Sequence, residues 1–211
     1  MISILMPIFN GIEFIEQSVN SIIYQRYQRW ELLIGVNGHI KNSDVYKVAK
    51  AFEQKYDNPM KIRVFDLHNI KCKSETLNEL KKHCNYEFIS LLDVDDIWNK
   101  DKLQIQSAFL NKYDVIGSNC IYFGDLPGII PSIPLKDINN FNFTLTNPII
   151  NSSCIVRKNL CYWNKFFTED YDLWLRLKAQ HKTFYNCADI LVMHRIHNNS
   201  FYNSKTRNLV K

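Results

Sequence analysis

The chain has 211 residues, 46% of them apolar and 22% charged. That usage suits one globular unit with a full core and excludes a disordered or fibrous chain. A net charge of +5 fits a site for anionic phosphates but is too mild to argue for a nucleic-acid partner.

The predicted elements alternate along the first half. Residues 2–6 form an apolar run stopped by Pro7, which reads as a strand. Asn10 then opens a helix, with Glu13 at capping-box-like spacing and Ile12, Ile15, Val19, Ile22 and Ile23 on one face. Residues 31–36 are the second strand, and Ser43 or Asp44 caps the second helix. Residues 61–67, 74–83 and 87–92 read as strand, helix and strand. This order predicts an α/β fold, a parallel sheet covered by helices on both faces. Ligands bind such sheets at the carboxyl ends of the strands, so loops 7–11, 36–41 and 93–98 are the informative ones.

The second half is less regular. It predicts a helix over 100–112, a strand over 114–119 and a turn-rich, acceptor-facing stretch over 124–147. A strand over 152–156, an amphipathic helix over 170–180 and a short strand over 190–193 follow. No repeat or linker interrupts the chain, which is expected to be a single domain. Six cysteines without a CxxC pair offer neither a zinc ribbon nor a redox motif and suit a reducing compartment. No apolar run reaches the ~18–20 residues of a membrane span, and the start lacks signal-peptide features. A cytoplasmic location is therefore expected, and the sequons at Asn142, Asn151 and Asn198 are discounted.

Four segments carry possible chemistry. Asp93-Val94-Asp95-Asp96 follows an apolar strand; carboxylates this close repel unless a cation offsets them, and a divalent ion commonly bridges a carboxylate to substrate phosphates. The plain alternative is an exposed acidic turn. Thr168-Glu169-Asp170 precedes a helix, where Thr168 could cap and the acids complement the dipole, or one acid could serve as general base. In His194-Arg195-Ile196-His197, alternation puts Arg195 and His197 on one face, suited to a diphosphate and its metal. Lys73-Ser74 before a helix is a sensible place for phosphate. Trp98 is the tryptophan expected to touch a ligand; Trp30, Trp163 and Trp174 read as packing.

In this order the pieces resemble the family 2 glycosyltransferases. The matching segments are Pro7-Ile8-Phe9-Asn10, the 21–27 stretch SIIYQRY, 30–34, Lys73 to Asn78, the 88–98 stretch FISLLDVDDIW, the 169–176 stretch EDYDLWLR, and Arg195-Ile196-His197-Asn198-Asn199-Ser200. The resemblance implies the GT-A fold, a Rossmann-like, mostly parallel sheet, with 1–98 as the nucleotide-binding half and 99–211 as the acceptor and catalytic half. It implies a nucleotide-sugar donor, most often a uridine one, an inverting reaction and a divalent metal, Mn2+ or Mg2+. Asp95 would bind that metal with His197, and Asp93 would contact the ribose or a metal-bound water. Asp170 would be the base, with Glu169 beside it near the acceptor. Pro7, Phe9, Asn10, Asn37 and Lys73 would lie around the nucleotide, with Arg195 at the diphosphate. Two departures stand out. Val36-Asn37-Gly38-His39 replaces the family's Asp-Asp-Gly-Ser, whose first aspartate helps hold the base, and Leu77 stands where many relatives have arginine. Degraded nucleotide recognition leaves a second expectation, a catalytically inactive nucleotide- or glycan-binding protein on the same scaffold. A nucleotidyltransferase would need a basic, Gly-rich loop at 7–11, which is absent. Sugar and acceptor identity have no decodable pattern.

Overall fold

The computed structural model describes residues 1–55, 61–165 and 168–197; Asn198, Asn199 and Ser200 of the closing motif lie outside them. Strand β1 (Ile2–Ile8) lies between β2 (Trp30–Asn37) and β4 (Phe88–Leu91), and β3 (Ile62–Leu67) flanks β2, all four parallel. Every residue of β1 and β2 is buried, because helices cover both sheet faces and leave no wet side to demand alternation.

Helices α1 (Ile15–Ile23) and α2 (Asp44–Lys50) cover one face through Val19, Ile22 and Ala49; α3 (Lys73–Lys82) and α5 (Glu169–Ala179) cover the other through Leu77, Leu80, Leu173 and Trp174. Ser43 caps α2 as predicted, its Oγ accepting from the Tyr46 N–H at 3.2 Å. The start of α1 differs from expectation. Gly11 adopts φ 85°, a 3-10 turn over Ile12–Phe14 follows, and no side chain caps it. Gly11 packs against Val94, so close that a Cβ there would lie 3.0 Å from Val94 Cγ1; contact with the acid loop, rather than Asn10, fixes this turn.

Strand β1 also runs past Pro7. Leu5 O accepts from the Leu92 N–H at 3.1 Å, so odd residues of β1 face β4, whose pairing ends at Leu5. The N–H that Pro7 lacks would point beyond that end, where no ladder bond is lost.

The second half extends the same sheet. Strand β8 (Ile155–Arg157) is antiparallel to β4 and to β6 (Val115–Gly124); β6 is parallel to β9 (Phe184–Ile196), on which β5 (Ile97–Trp98) and β7 (Lys136–Asp137) pair antiparallel. The order is β3-β2-β1-β4-β8-β6-β9-β5, with β7 also on β9. Helix α4 (Lys102–Ser107) is shorter than predicted, because its continuation tightens into turns with i→i+3 bonds such as Phe109 N–H to Gln106 O. Strand β9 is 13 residues rather than four, with a register shift opposite Asn119.

Two reversals restore direction, so β6 and β9 run the same way as β1 to β4. The ends of β4 and β9 therefore meet at one edge, bringing residues 93–96 and 194–197 together. Among the described residues no helix is long and apolar enough to cross a membrane.

Candidate functional site

The acid loop after β4 sends its three carboxylates three ways. Asp93 Oδ1 lies 2.7 Å from Lys73 Nζ, its Oδ2 accepts from Asn151 Nδ2 at 2.9 Å, and its N–H donates to Ser152 Oγ at 3.1 Å. Burial works to raise this carboxyl, but the adjoining Lys73 ammonium and the Asn151 amide hold it below the usual range. Asp96 is fully buried. It accepts from the Arg195 backbone N–H at 2.9 Å and from His194 Nδ1 at 3.0 Å. Burial opposes charge on His194, yet Asp96 prevails and lifts the imidazole to about 9. Asp95 points to the third side, where His197 Nε2 donates to its Oδ2 at 3.0 Å. Burial first, then the neighbouring Asp96 and Asp93, push the Asp95 carboxyl up.

The Asp93 side continues into α5. Lys73 Nζ also lies 3.1 Å from Glu169 Oε1. Asp170 follows, 8% exposed, its Oδ2 accepting from Asn147 Nδ2 at 3.0 Å. Burial and then Glu169 raise the Asp170 carboxyl, against the pull of Lys73, the Tyr171 N–H and Asn147. Thr168 precedes α5 without making a side-chain cap.

The remaining site residues fall into two groups. Phe9 is 51% exposed and Asn10 is exposed, both at the end of β1, while Pro7, Val36 and Asn37 are buried in their strands. His39 Nε2 donates to Phe9 O at 2.6 Å. Gly38 has φ 78°, and any Cβ there would overlap the Phe9 ring. Arg195 is turned into the protein: its Nε donates to Asp95 O at 2.8 Å, its Nη2 to Gln17 Oε1 at 2.6 Å, and its guanidinium lies 4.2 Å from both the Phe14 and Phe123 rings. These contacts brace the acid loop. The expectation for Trp98 is corrected. It is 3% exposed, donates from Nε1 to Ser152 O at 2.7 Å and lies under Lys102 Nζ. Trp30, Trp163 and Trp174 are buried as expected.

Residues 3–203 match the family model described as Glycosyl transferase family 2. The chain belongs to that family. It is 27% identical over 213 residues to the O-antigen biosynthesis glycosyltransferase WbnJ of Escherichia coli, across 95% of this chain and 81% of that protein. It is 26% identical to the UDP-Glc:alpha-D-GlcNAc-diphosphoundecaprenol beta-1,3-glucosyltransferase WfgD of Escherichia coli, across 99% of this chain and 82% of that one. Among solved structures, the mannosyltransferase PcManGT from Pyrobaculum calidifontis, in complex with GDP-Man and Mn2+, superposes with a TM-score of 0.75 at 11% identity over 98% of this chain. The 1–349 segment of S. aureus TarS with UDP-GlcNAc gives 0.71 at 19% over 96%. This chain spans 60% of each of those two chains, and at such identities they establish the GT-A fold alone.

For this family 2 glycosyltransferase the metal expectation can be tested on its donors. Among the described residues no three His, Cys, Asp or Glu side chains form a metal-like group. The Asp95 and His197 pair does fit a hard divalent ion that keeps most of its ligands from water and substrate phosphates. Atoms 3.0 Å apart suit neighbouring positions on an ion with bonds of about 2.1 Å. Two residues that touch the site's acids were not singled out from sequence. Asn147 and Asn151 bear on Asp170 and Asp93, and asparagines in a turn-rich stretch carry no signal that separates them from loop residues. Asp66 pairs in register with Val36 on the same sheet face, one strand further out; its Oδ2 accepts from the Asn42 N–H at 2.8 Å.

Proposed function

We propose that the chain is an inverting, metal-dependent glycosyltransferase that takes a sugar from a nucleotide-sugar donor, a uridine one in first place, to an acceptor hydroxyl. The observation that carries this reading is the meeting of Asp93 and Glu169 on one ammonium, Lys73, with Asp170 next in line. It joins the donor-side loop to the acceptor-side helix across the two halves, 1–98 and 99–211. The relatives support the donor class: WfgD is named for UDP-Glc, and the TarS and PcManGT structures are complexes with UDP-GlcNAc and GDP-Man.

In the proposed reaction the acceptor oxygen attacks the anomeric carbon as its proton passes to Asp170, and the bond from that carbon to the diphosphate oxygen breaks. Displacement from the opposite side inverts the centre. Burial makes the Asp170 carboxylate a stronger base than an exposed one, provided it is ionised. Asp95 and His197 would hold the divalent ion, which when bound supplies charge neutralisation at the diphosphate. Arg195 holds the Asp95 backbone in place. Phe9, Asn10, Asn37 and Pro7 border the nucleotide end of the site.

Hydrolysis of a panel of nucleotide sugars, with and without manganese, tests this reading. Turnover that depends on the metal is expected. Asp170→Asn should retain donor binding and lose transfer by at least ~10²-fold; transfer near the wild-type rate would remove Asp170 from the role of base. Val36, buried where the family has an aspartate, favours the second reading, a non-catalytic binding protein. Calorimetry showing UDP and manganese binding without turnover of any donor would select it.

A further inference from the structure

Lys73 is the first residue of α3, where a cation meets the positive end of the helix dipole. Local preference does not put it there. Four residues on and on the same helical face, Leu77 is fully buried in the core, so a cation reaching the site from this helix has to come from the turn above. The Lys73 side chain remains 34% exposed, yet its ammonium contacts two carboxylates from two different elements, Asp93 after β4 at 2.7 Å and Glu169 on α5 at 3.1 Å. Asp170, adjoining Glu169, completes the charged groups that face it.

We propose that Lys73 is a positioning residue that clamps the first turn of α5 to the Asp93 loop and so fixes where the proton-accepting group stands relative to the donor. This rests on the glycosyltransferase reading and departs from the expectation that Lys73 binds the nucleotide phosphates. Asp93 and Asn151 form the fixed end of the clamp, since Asp93 is also held by Ser152. Glu169 is the other end, held by Lys73 at 3.1 Å. Lys73 acts on Asp170 through position and through charge, alongside Glu169 and the Asn147 amide.

Two variants test it, with kinetics measured on whichever nucleotide sugar the wild-type chain turns over. Lys73→Met should lower kcat roughly 10- to 100-fold, the range expected when a reacting group is displaced by about an ångström, and leave the donor KM within about threefold. Its acidic kcat limb should move to higher pH as Asp170 loses a cation. Lys73→Arg, which keeps the charge, should recover most of the rate and return the limb. A rise in donor KM larger than the fall in kcat would overturn the clamp in favour of phosphate binding; so would an unmoved limb with an unchanged rate. A thermal cycle of Lys73→Met, Glu169→Gln and the double variant reports the bridge without substrate. The double variant should lose less than the sum of the singles, and additive losses overturn the proposal. A wild-type chain that turns over no donor sinks the glycosyltransferase reading, and the cycle still decides the bridge.

Discussion

The two sides of the acid loop are built to different standards of rigidity. On the β9 side, Asp96 is fully buried and bonded both to a backbone N–H and to the His194 imidazolium, while Arg195 packs between two rings. On the α5 side, the link is a partly exposed lysine between two acids. Buried, multiply bonded charges hold one geometry, and removing one partner leaves the other uncompensated. A solvent-touched ion pair contributes less and yields more easily. The proposed metal ligands, Asp95 and His197, thus stand on the fixed side, and the proposed base stands on the adjustable one.

The sharpest way to break this contrast is Asp96→Ala. It strands a charged His194 and should cost about 3 kcal/mol of stability, read as a lowered urea midpoint at pH 6; a loss no larger than that of Glu169→Ala would erase the distinction. Asp95→Ala comes next. Donor affinity measured with manganese should fall about 10-fold or more, as for loss of a charged ligand, and affinity equal to wild type would remove Asp95 from the metal site.

Two groups give opposite pH signatures, His194 beside Asp96 and the buried Lys102. His194 is raised to about 9 from 6.5. Its stabilisation is complete below pH 6.5 and is lost as pH rises through about 9. Lys102, fully buried with Gln106 Oε1 at 2.8 Å and Ser90 Oγ at 3.3 Å, is lowered by burial to about 7. The unfolded chain binds its proton more tightly, so this group favours folding progressively as pH climbs from about 7 to 10.5. Melting temperatures of Lys102→Met against wild type should therefore be most favourable to the variant near pH 6 and least near pH 9; a constant difference would exclude titration of Lys102. The smallest effect is expected at Asn147→Ala, which removes one hydrogen bond from Asp170. A loss of about 1 kcal/mol, near fivefold in kcat, should come with an acidic limb moved upward, and an unmoved limb would detach Asn147 from the base.

What the sequence disclosed follows from the same physics. Strands covered on both faces become unbroken apolar runs, so β1, β2 and β4 could be read directly. Strand β9 could not. Asn186, Asp189 and His194 interrupt its apolar pattern, and its length comes from pairing with β6, which local periodicity does not encode. The motif order singled out Asp93, Asp95, Glu169, Asp170 and His197, but adjacency in sequence said nothing of direction. Asp95 and Asp96 are neighbours, yet one pairs with His197 and the other is a buried anchor bonded to His194 and the Arg195 backbone. Trp98 was misplaced for that reason, since a residue type suited to ligands is equally suited to bracing the loop that carries them.

The Phe9 ring lies against Gly38, with its own carbonyl held by His39. Half of it still meets water, and the contact with Gly38 narrows the positions open to it. A flat molecule settling on its open side would encounter a partner already stilled, and the entropy of ordering that aromatic surface would have been lost during folding rather than during association.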